Sequence, residues 1–144
     1  MLRQYRQRNR RRPLPACKVD HDASPQFSIL RNFYRTHGYP SIDDDLAEAF
    51  QAIKQNVQAN RCRTVPRFSA VLQGFLLHKY RQKNKAAREG ARGGWRIYAL
   101  FDKQNNVLYP IIVYPKKEMT DVPDRQIIDC VGELLKVLEQ RHLT

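Results

Sequence analysis

Lys79, Arg81 and Lys83 are separated by the single residues Tyr80 and Gln82, and in an extended strand that period of two turns all three cations to one face. A face of that kind calls for an anion. From Lys79 to Arg96, seven cations (Lys79, Arg81, Lys83, Lys85, Arg88, Arg92 and Arg96) stand against Glu89 alone. One or two edge lysines can serve simply to discourage strand-to-strand association. Seven are better explained by phosphate. Lys116 and Lys117 close a later apolar stretch, and if the strands pair, these cations converge with Arg96 on one concave surface. Trp95 has two readings, a platform on which a base stacks and a core residue at a strand start.

Other chemistries find less support. Gly90, Gly93 and Gly94 punctuate the basic loop, but no GxxxxGK[ST] pattern is present and no helix is expected after it, which argues against an ATP-type loop. Asp43, Asp44 and Asp45 diverge by about 100° each around a helix and cannot easily share one ion, so they are read as first-turn carboxylates at the positive end of a helix dipole. His78 alternates away from Lys79 and is read as packed. His21, His37 and His142 fall in expected turns or termini. Cys17, Cys62 and Cys130 are an odd number with no CxxC spacing, which points to reduced thiols and neither a disulfide framework nor a metal site. No cofactor is expected.

Positioning these residues takes one domain. The 144 residues, 42% of them hydrophobic, can bury a core. The formal net charge of +12, from 26 Lys and Arg against 14 Asp and Glu, favours a nucleic-acid partner, with an acidic protein or a membrane surface behind it. No apolar run approaches the ~18 residues of a membrane span, and the basic N-terminus is not followed by the apolar core of a secretory signal. A cytoplasmic location is expected. Residues 1–15 carry Arg3, Arg6, Arg8, Arg10, Arg11 and Arg12 with almost nothing to bury, which predicts a flexible basic arm. It either tracks phosphates or is a solvated tail. Residues 16–144 form the expected domain.

Along that domain, Ala16 to Val19 suits an edge strand. Ser24-Pro25 starts a helix running to about His37, with Phe27, Leu30, Phe33 and Tyr34 in one apolar stripe and Gly38 as its stop. Pro40-Ser41 starts a second, whose stripe is Leu46, Ala49, Phe50, Ile53 and Val57. Asn60 to Gly74, broken at Pro66 and Gly74, is read as a loop. Phe75–Lys83, Trp95–Phe101 and Val107–Tyr114 read as strands, the last two joined by a turn at Asp102–Asn106 and therefore antiparallel. Asp124–His142 is a closing helix with Ile127, Ile128, Val131, Leu134, Leu135 and Leu138 on one side. The expected class is α+β, with a helical hairpin and a C-terminal helix packed on a small antiparallel sheet. The helices are read as covering the face opposite the cations.

Three ordered pieces, K-x-R from Lys79, G-x-x-G-G-W-R-I-Y from Gly90 and I-I-V-Y-P-K-K-E from Ile111, resemble the RelE/ParE toxin superfamily, particularly its RelE and HigB-type ribonucleases. The resemblance extends more weakly over Phe27 to Ile53, covers roughly Ala16 to the C-terminal helix, and leaves out the arginine arm. It implies a RelE-like, microbial-RNase-like fold and a type II toxin, held by a cognate antitoxin, that cleaves mRNA at the ribosome. In that chemistry the ribose 2′-hydroxyl attacks the adjacent phosphorus without a metal, leaving a 2′,3′-cyclic phosphate and a 5′-hydroxyl. Carried over by position, Lys79, Arg81, Arg96, Lys116 and Lys117 are the implied catalytic set. Arg96 and Lys117 take the phosphate, Arg81 assists, and Lys79 transfers a proton with a pKa depressed by neighbouring cations. Lys83, Lys85, Arg88, Arg92, Trp95 and Tyr98 are the expected RNA contacts. Where RelE has a functional tyrosine beyond the last basic pair, this chain has Val122 and Pro123. Tyr98 and Tyr114 lie closer, but the sequence gives neither the role, so the general base is unassigned. A non-catalytic RNA- or ribosome-binding module and a ParE-like gyrase inhibitor stand as alternatives.

Overall fold

Two apolar stretches separated by a four-residue turn make the centre of the sheet. In a computed structural model, which describes residues 16–58, 62–72, 74–88, 90 and 93–143, strands β4 (Trp95–Asp102) and β5 (Val107–Pro115) pair antiparallel. Both are buried almost throughout, as strands covered on both faces are. Asn106 closes their turn at φ +56°, a left-handed value that Asn tolerates. Strand β3 (Leu76–Gln82) pairs antiparallel with β4, and β2 (Cys62–Thr64) with β3. β1 (Lys18–Val19) runs parallel to β5, giving the order β1-β5-β4-β3-β2.

The class is thus α+β, but the sheet is mixed rather than antiparallel. The stretch read as a loop holds β2 and a 3-10 helix, Pro66–Val71. A three-residue strand is too short for its alternation to show in sequence. Its pairing continues through the Val65 amide, which donates to the Leu77 carbonyl at 2.9 Å.

Helix α1 (Pro25–Thr36) begins as its sequence predicts: the Ser24 hydroxyl accepts from the Phe27 amide at 3.4 Å. Phe27 and Tyr34 are buried, whereas Phe33, expected in the same stripe, is 48% exposed. Helix α2 (Ile42–Gln55) buries Ile42, Leu46, Ala49, Phe50 and Ile53. Its three aspartates diverge as expected, but two of them do more than meet the helix dipole. Asp43 pairs with Arg31 at 2.6 Å and Arg35 at 2.9 Å, clamping α1 to α2. Asp45 is fully buried and accepts from the Trp95 indole at 2.9 Å and the Lys85 amide at 3.2 Å.

The hairpin covers one sheet face. The Tyr80 hydroxyl donates to the Val57 carbonyl at 2.7 Å, just past α2, and Trp95 packs edge-on against Tyr34 and Tyr39. Helix α3 (Asp124–Leu143) buries Ile127, Val131 and Leu134, while Ile128 is left 44% exposed. It does not join the hairpin on that face. Tyr109, which register places on the face of Leu100 and Leu77, lines a cleft with Leu135 and Leu138 of α3. Phe68 and Leu72 of the 3-10 segment line a second with Ile128, Val131 and Leu135. So α3 and the 3-10 helix cover one end of the second face; at the other end Tyr98, Tyr114 and Arg96 are themselves buried, Lys79 is half-buried, and Arg81 and Arg63 are exposed. Cys17, Cys62 and Cys130 are free thiols. Among the described residues no helix is long and apolar enough to cross a membrane. The basic arm expected over residues 1–15 lies outside the described residues.

Candidate active site

Cross-strand partners share a face, so the pairings Arg63–Lys79–Tyr98 and Arg81–Arg96–Tyr114 put six polar side chains at one end of one face, with Arg63 and Arg81 exposed and Tyr98, Arg96 and Tyr114 buried. The connection from β5 to α3 then brings a carboxylate over them. Asp121 Oδ1 accepts from the Tyr98 hydroxyl at 2.8 Å, the Val122 amide at 2.8 Å, the Lys79 ammonium at 3.4 Å and the Tyr114 hydroxyl at 3.5 Å. The Lys79 Nζ also stands 5.2 Å from the centre of the Tyr98 ring, and the Tyr98 and Tyr114 rings stack with centroids 6.4 Å apart. Two tyrosines therefore fix the carboxylate that the lysine faces.

Each group in this cluster is shifted by an identifiable cause. Partial burial would raise the Asp121 pKa, but the Tyr98 hydroxyl, the Val122 amide and Lys79 together hold it below the usual carboxylate range. Asp121 is accordingly ionised at neutral pH. Burial lowers the Lys79 pKa, Asp121 opposes that shift, and Arg96 and Arg63 add to it. The expected depression is present, though loss of hydration outranks the neighbouring cations as its cause. Burial and the Asp121 charge push the Tyr114 hydroxyl up to about 12, and Tyr98 rises for the same reasons. Both phenols stay protonated and act as donors.

Of the implied catalytic residues, Lys79, Arg81 and Arg96 come together. Arg81 is exposed, while Arg96 is only 3% exposed and donates from Nη1 to the Trp95 carbonyl at 3.3 Å. Burial and the facing Arg81 lower its pKa. Arg96 therefore forms the floor of the site, where it was expected at the surface. Lys116 and Lys117 are exposed in the turn after β5, past Tyr114, and the Lys116 amide donates to the Gly94 carbonyl at 3.0 Å.

The expected RNA contacts divide. Tyr98 belongs to the site through its hydroxyl. Trp95 does not: it is fully buried, tied to Asp45 on the hairpin side, and presents no ring to a base. Lys83 and Lys85 turn to Glu48 of α2, at 3.3 Å and 3.8 Å, because the chain leaves β3 after Gln82 and strand alternation no longer governs them. Arg88 is exposed in a turn at φ +55°, and Arg92 lies outside the described residues. His78 is packed on the hairpin side as expected, its Nδ1 3.1 Å from the Cys62 sulfur, and burial lowers its pKa.

Three residues went unnoticed in sequence. Asp121 stands immediately before Val122, and its only signal in sequence is that it adjoins the position where RelE has a tyrosine. Arg63 and Arg67 lie in the segment read as a loop. Arg63 faces Lys79 across β2 and β3, and Arg67 pairs with Asp124 at 3.0 Å, close enough for its charge to act on Tyr98 and Asp121. Among the described residues no three His, Cys, Asp or Glu side chains gather into a metal-binding set. Comparison with family models, curated proteins and solved structures finds no match.

Proposed function

We propose that the chain is the toxin of a type II toxin–antitoxin pair, an endoribonuclease that cuts mRNA at the ribosome through attack of a ribose 2′-hydroxyl on the adjacent phosphorus. One observation carries the reading: Lys79, Tyr98 and Tyr114 converge on Asp121 in the middle of a cationic face. A surface that merely holds a polyanion gains nothing from a carboxylate at its centre, since it repels phosphate. A surface that must accept a proton beside a phosphate requires one.

In this scheme Asp121 takes the 2′ proton as the 2′-oxygen bonds to phosphorus. The bond from phosphorus to the 5′-oxygen breaks, and Lys79, a stronger acid than an ordinary lysine because it is partly buried, gives that oxygen a proton. The 3.4 Å contact between the two groups lets the proton on Asp121 return to Lys79 and reset the site. Arg81, with Arg96 beneath it and Lys117 at the rim, stabilises the charge that builds on the phosphoryl oxygens. Tyr98 and Tyr114 hold the carboxylate in place. The partners are mRNA, the ribosome and an antitoxin that covers the basic face.

Induced expression in bacteria tests this. The expected result is growth arrest with discrete mRNA cuts, both abolished by Lys79→Ala and by Arg96→Ala, with Arg96→Lys retaining part of the activity and controlling for misfolding. Cleavage at near-normal rate by Arg96→Ala would sink the assignment. Arrest with DNA damage and intact mRNA would indicate gyrase instead, and no arrest with salt-dependent RNA binding would indicate a binding module.

A further inference from the structure

We infer that single-stranded RNA crosses the sheet over β2 and the 3-10 helix, with Arg63 and Arg67 holding the phosphates that flank the reacting one. This rests on the proposed endoribonuclease reading and names the substrate track of the same site. The basic loop at 83–94 has the higher density of cations in sequence, yet its Lys83 and Lys85 reach toward Glu48 on the hairpin side, away from the face that carries Lys79. On the Lys79 face the additional cations come from the other direction. Register sets Arg63 opposite Lys79, and β2 ends the sheet, so Arg63 is exposed at the edge. Arg67 follows at the first turn of the 3-10 helix, its guanidinium 4.8 Å from the centre of the Phe68 ring. Its partner Asp124 sits at the start of α3, and both side chains of the pair are more than half exposed, at 52% and 58%. An exposed pair of that kind is weak and is readily exchanged for phosphate. From Arg81 the cations run along β3 to Lys79, step across to Arg63 on β2, and continue past the end of β2 to Arg67.

The test uses the full chain and a fluorescein-labelled single-stranded RNA oligonucleotide with 2′-O-methyl riboses, which binds but lacks the attacking hydroxyl. Anisotropy is measured over a series of salt concentrations. The Arg63→Ala/Arg67→Ala double variant is expected to bind about tenfold more weakly near physiological salt, with the slope of log K against log salt reduced by about 1.4, the value for two lost contacts to a single strand. Arg63→Gln/Arg67→Gln, which keeps the side-chain stems, is expected to show the same loss and guards against a folding defect. Lys83→Ala/Lys85→Ala is expected to stay within about twofold of the parent. Loss of binding in the lysine variant that equals or exceeds the loss in the arginine variants overturns the inference, as does an unchanged slope in the arginine variants. Cleavage of unmodified RNA is scored separately by the parent chain. The expected binding pattern without cleavage keeps the track and removes the reaction, and cleavage with the opposite binding pattern does the reverse.

Discussion

A carboxylate among cations acts on every group around it, and Asp121 shows this in both directions. After burial, it is the next cause that keeps the protons on Tyr98 and Tyr114, and its charge raises the Lys79 pKa against the lowering by burial. Asp121→Asn removes the proton acceptor of the proposed scheme while preserving shape, and cleavage is expected to fall by about 100-fold or more, the range for loss of a general base. The pH profile gives a second readout. The proposed reaction needs Asp121 ionised, so its acidic limb is expected below the ordinary carboxylate value of about 4, and it needs Lys79 protonated, so its alkaline limb is expected below the ordinary lysine value of about 10.4. In Asp121→Asn the residual activity loses its alkaline limb at lower pH still, because the charge that supported the ammonium is gone. An alkaline limb that stays put or rises would show that Asp121 and Lys79 are not coupled. Tyr98→Phe removes the shorter of the two tyrosine hydrogen bonds to Asp121 and is expected to cost less than Asp121→Asn.

At the scale of elements, the site depends on a join far from its chemistry. Asp45 in the first turn of α2 holds the Trp95 indole and the Lys85 amide, and through them the start of β4, one residue before Arg96. Asp45→Ala leaves the buried Trp95 indole and the part-buried Lys85 amide without their acceptor and is expected to cost about 1–3 kcal/mol in denaturant unfolding. Gly94 occupies the same join. A Cβ there would meet the Gln82 carbonyl oxygen, the Gly90 carbonyl oxygen at 2.8 Å and the Asn84 amide nitrogen at 2.9 Å, all of them backbone. Gly94→Ala must push β3 and β4 apart where Arg81 faces Arg96, with an expected cost of about 1–3 kcal/mol. RNA cleavage measured beside the unfolding midpoint is expected to drop further than the stability loss explains. Equal wild-type activity in a destabilised Gly94→Ala protein would show that the join does not set the arginine spacing.

The molecule as a whole separates what a single sequence reveals from what it hides. The helical hairpin was legible because Ser24-Pro25 and Pro40-Ser41 mark starts and the apolar stripes have the helical period, and the β4–β5 hairpin because its turn is short. Lys79, Arg81 and Arg96 were legible as a group because alternation fixes sides within a strand. What required three dimensions was everything that arrives from elsewhere: β2, too short to show a pattern; α3, whose apolar side does not say which sheet face it roofs; and Asp121, whose meaning comes from Tyr98 and Lys79 on two other strands. Trp95 illustrates the converse, since its neighbours in sequence suggest RNA and its neighbours in space are Tyr34, Tyr39 and Asp45. On the proposed reading this basic face breaks an RNA chain with its own side chains. The most direct measurement incubates the purified protein with RNA, in translating extract and alone, and identifies the new ends. The expected result is 2′,3′-cyclic phosphate and 5′-hydroxyl ends from the parent protein and none from Lys79→Ala or Asp121→Asn. Intact RNA under both conditions, or the same ends at undiminished rate from both variants, would contradict it.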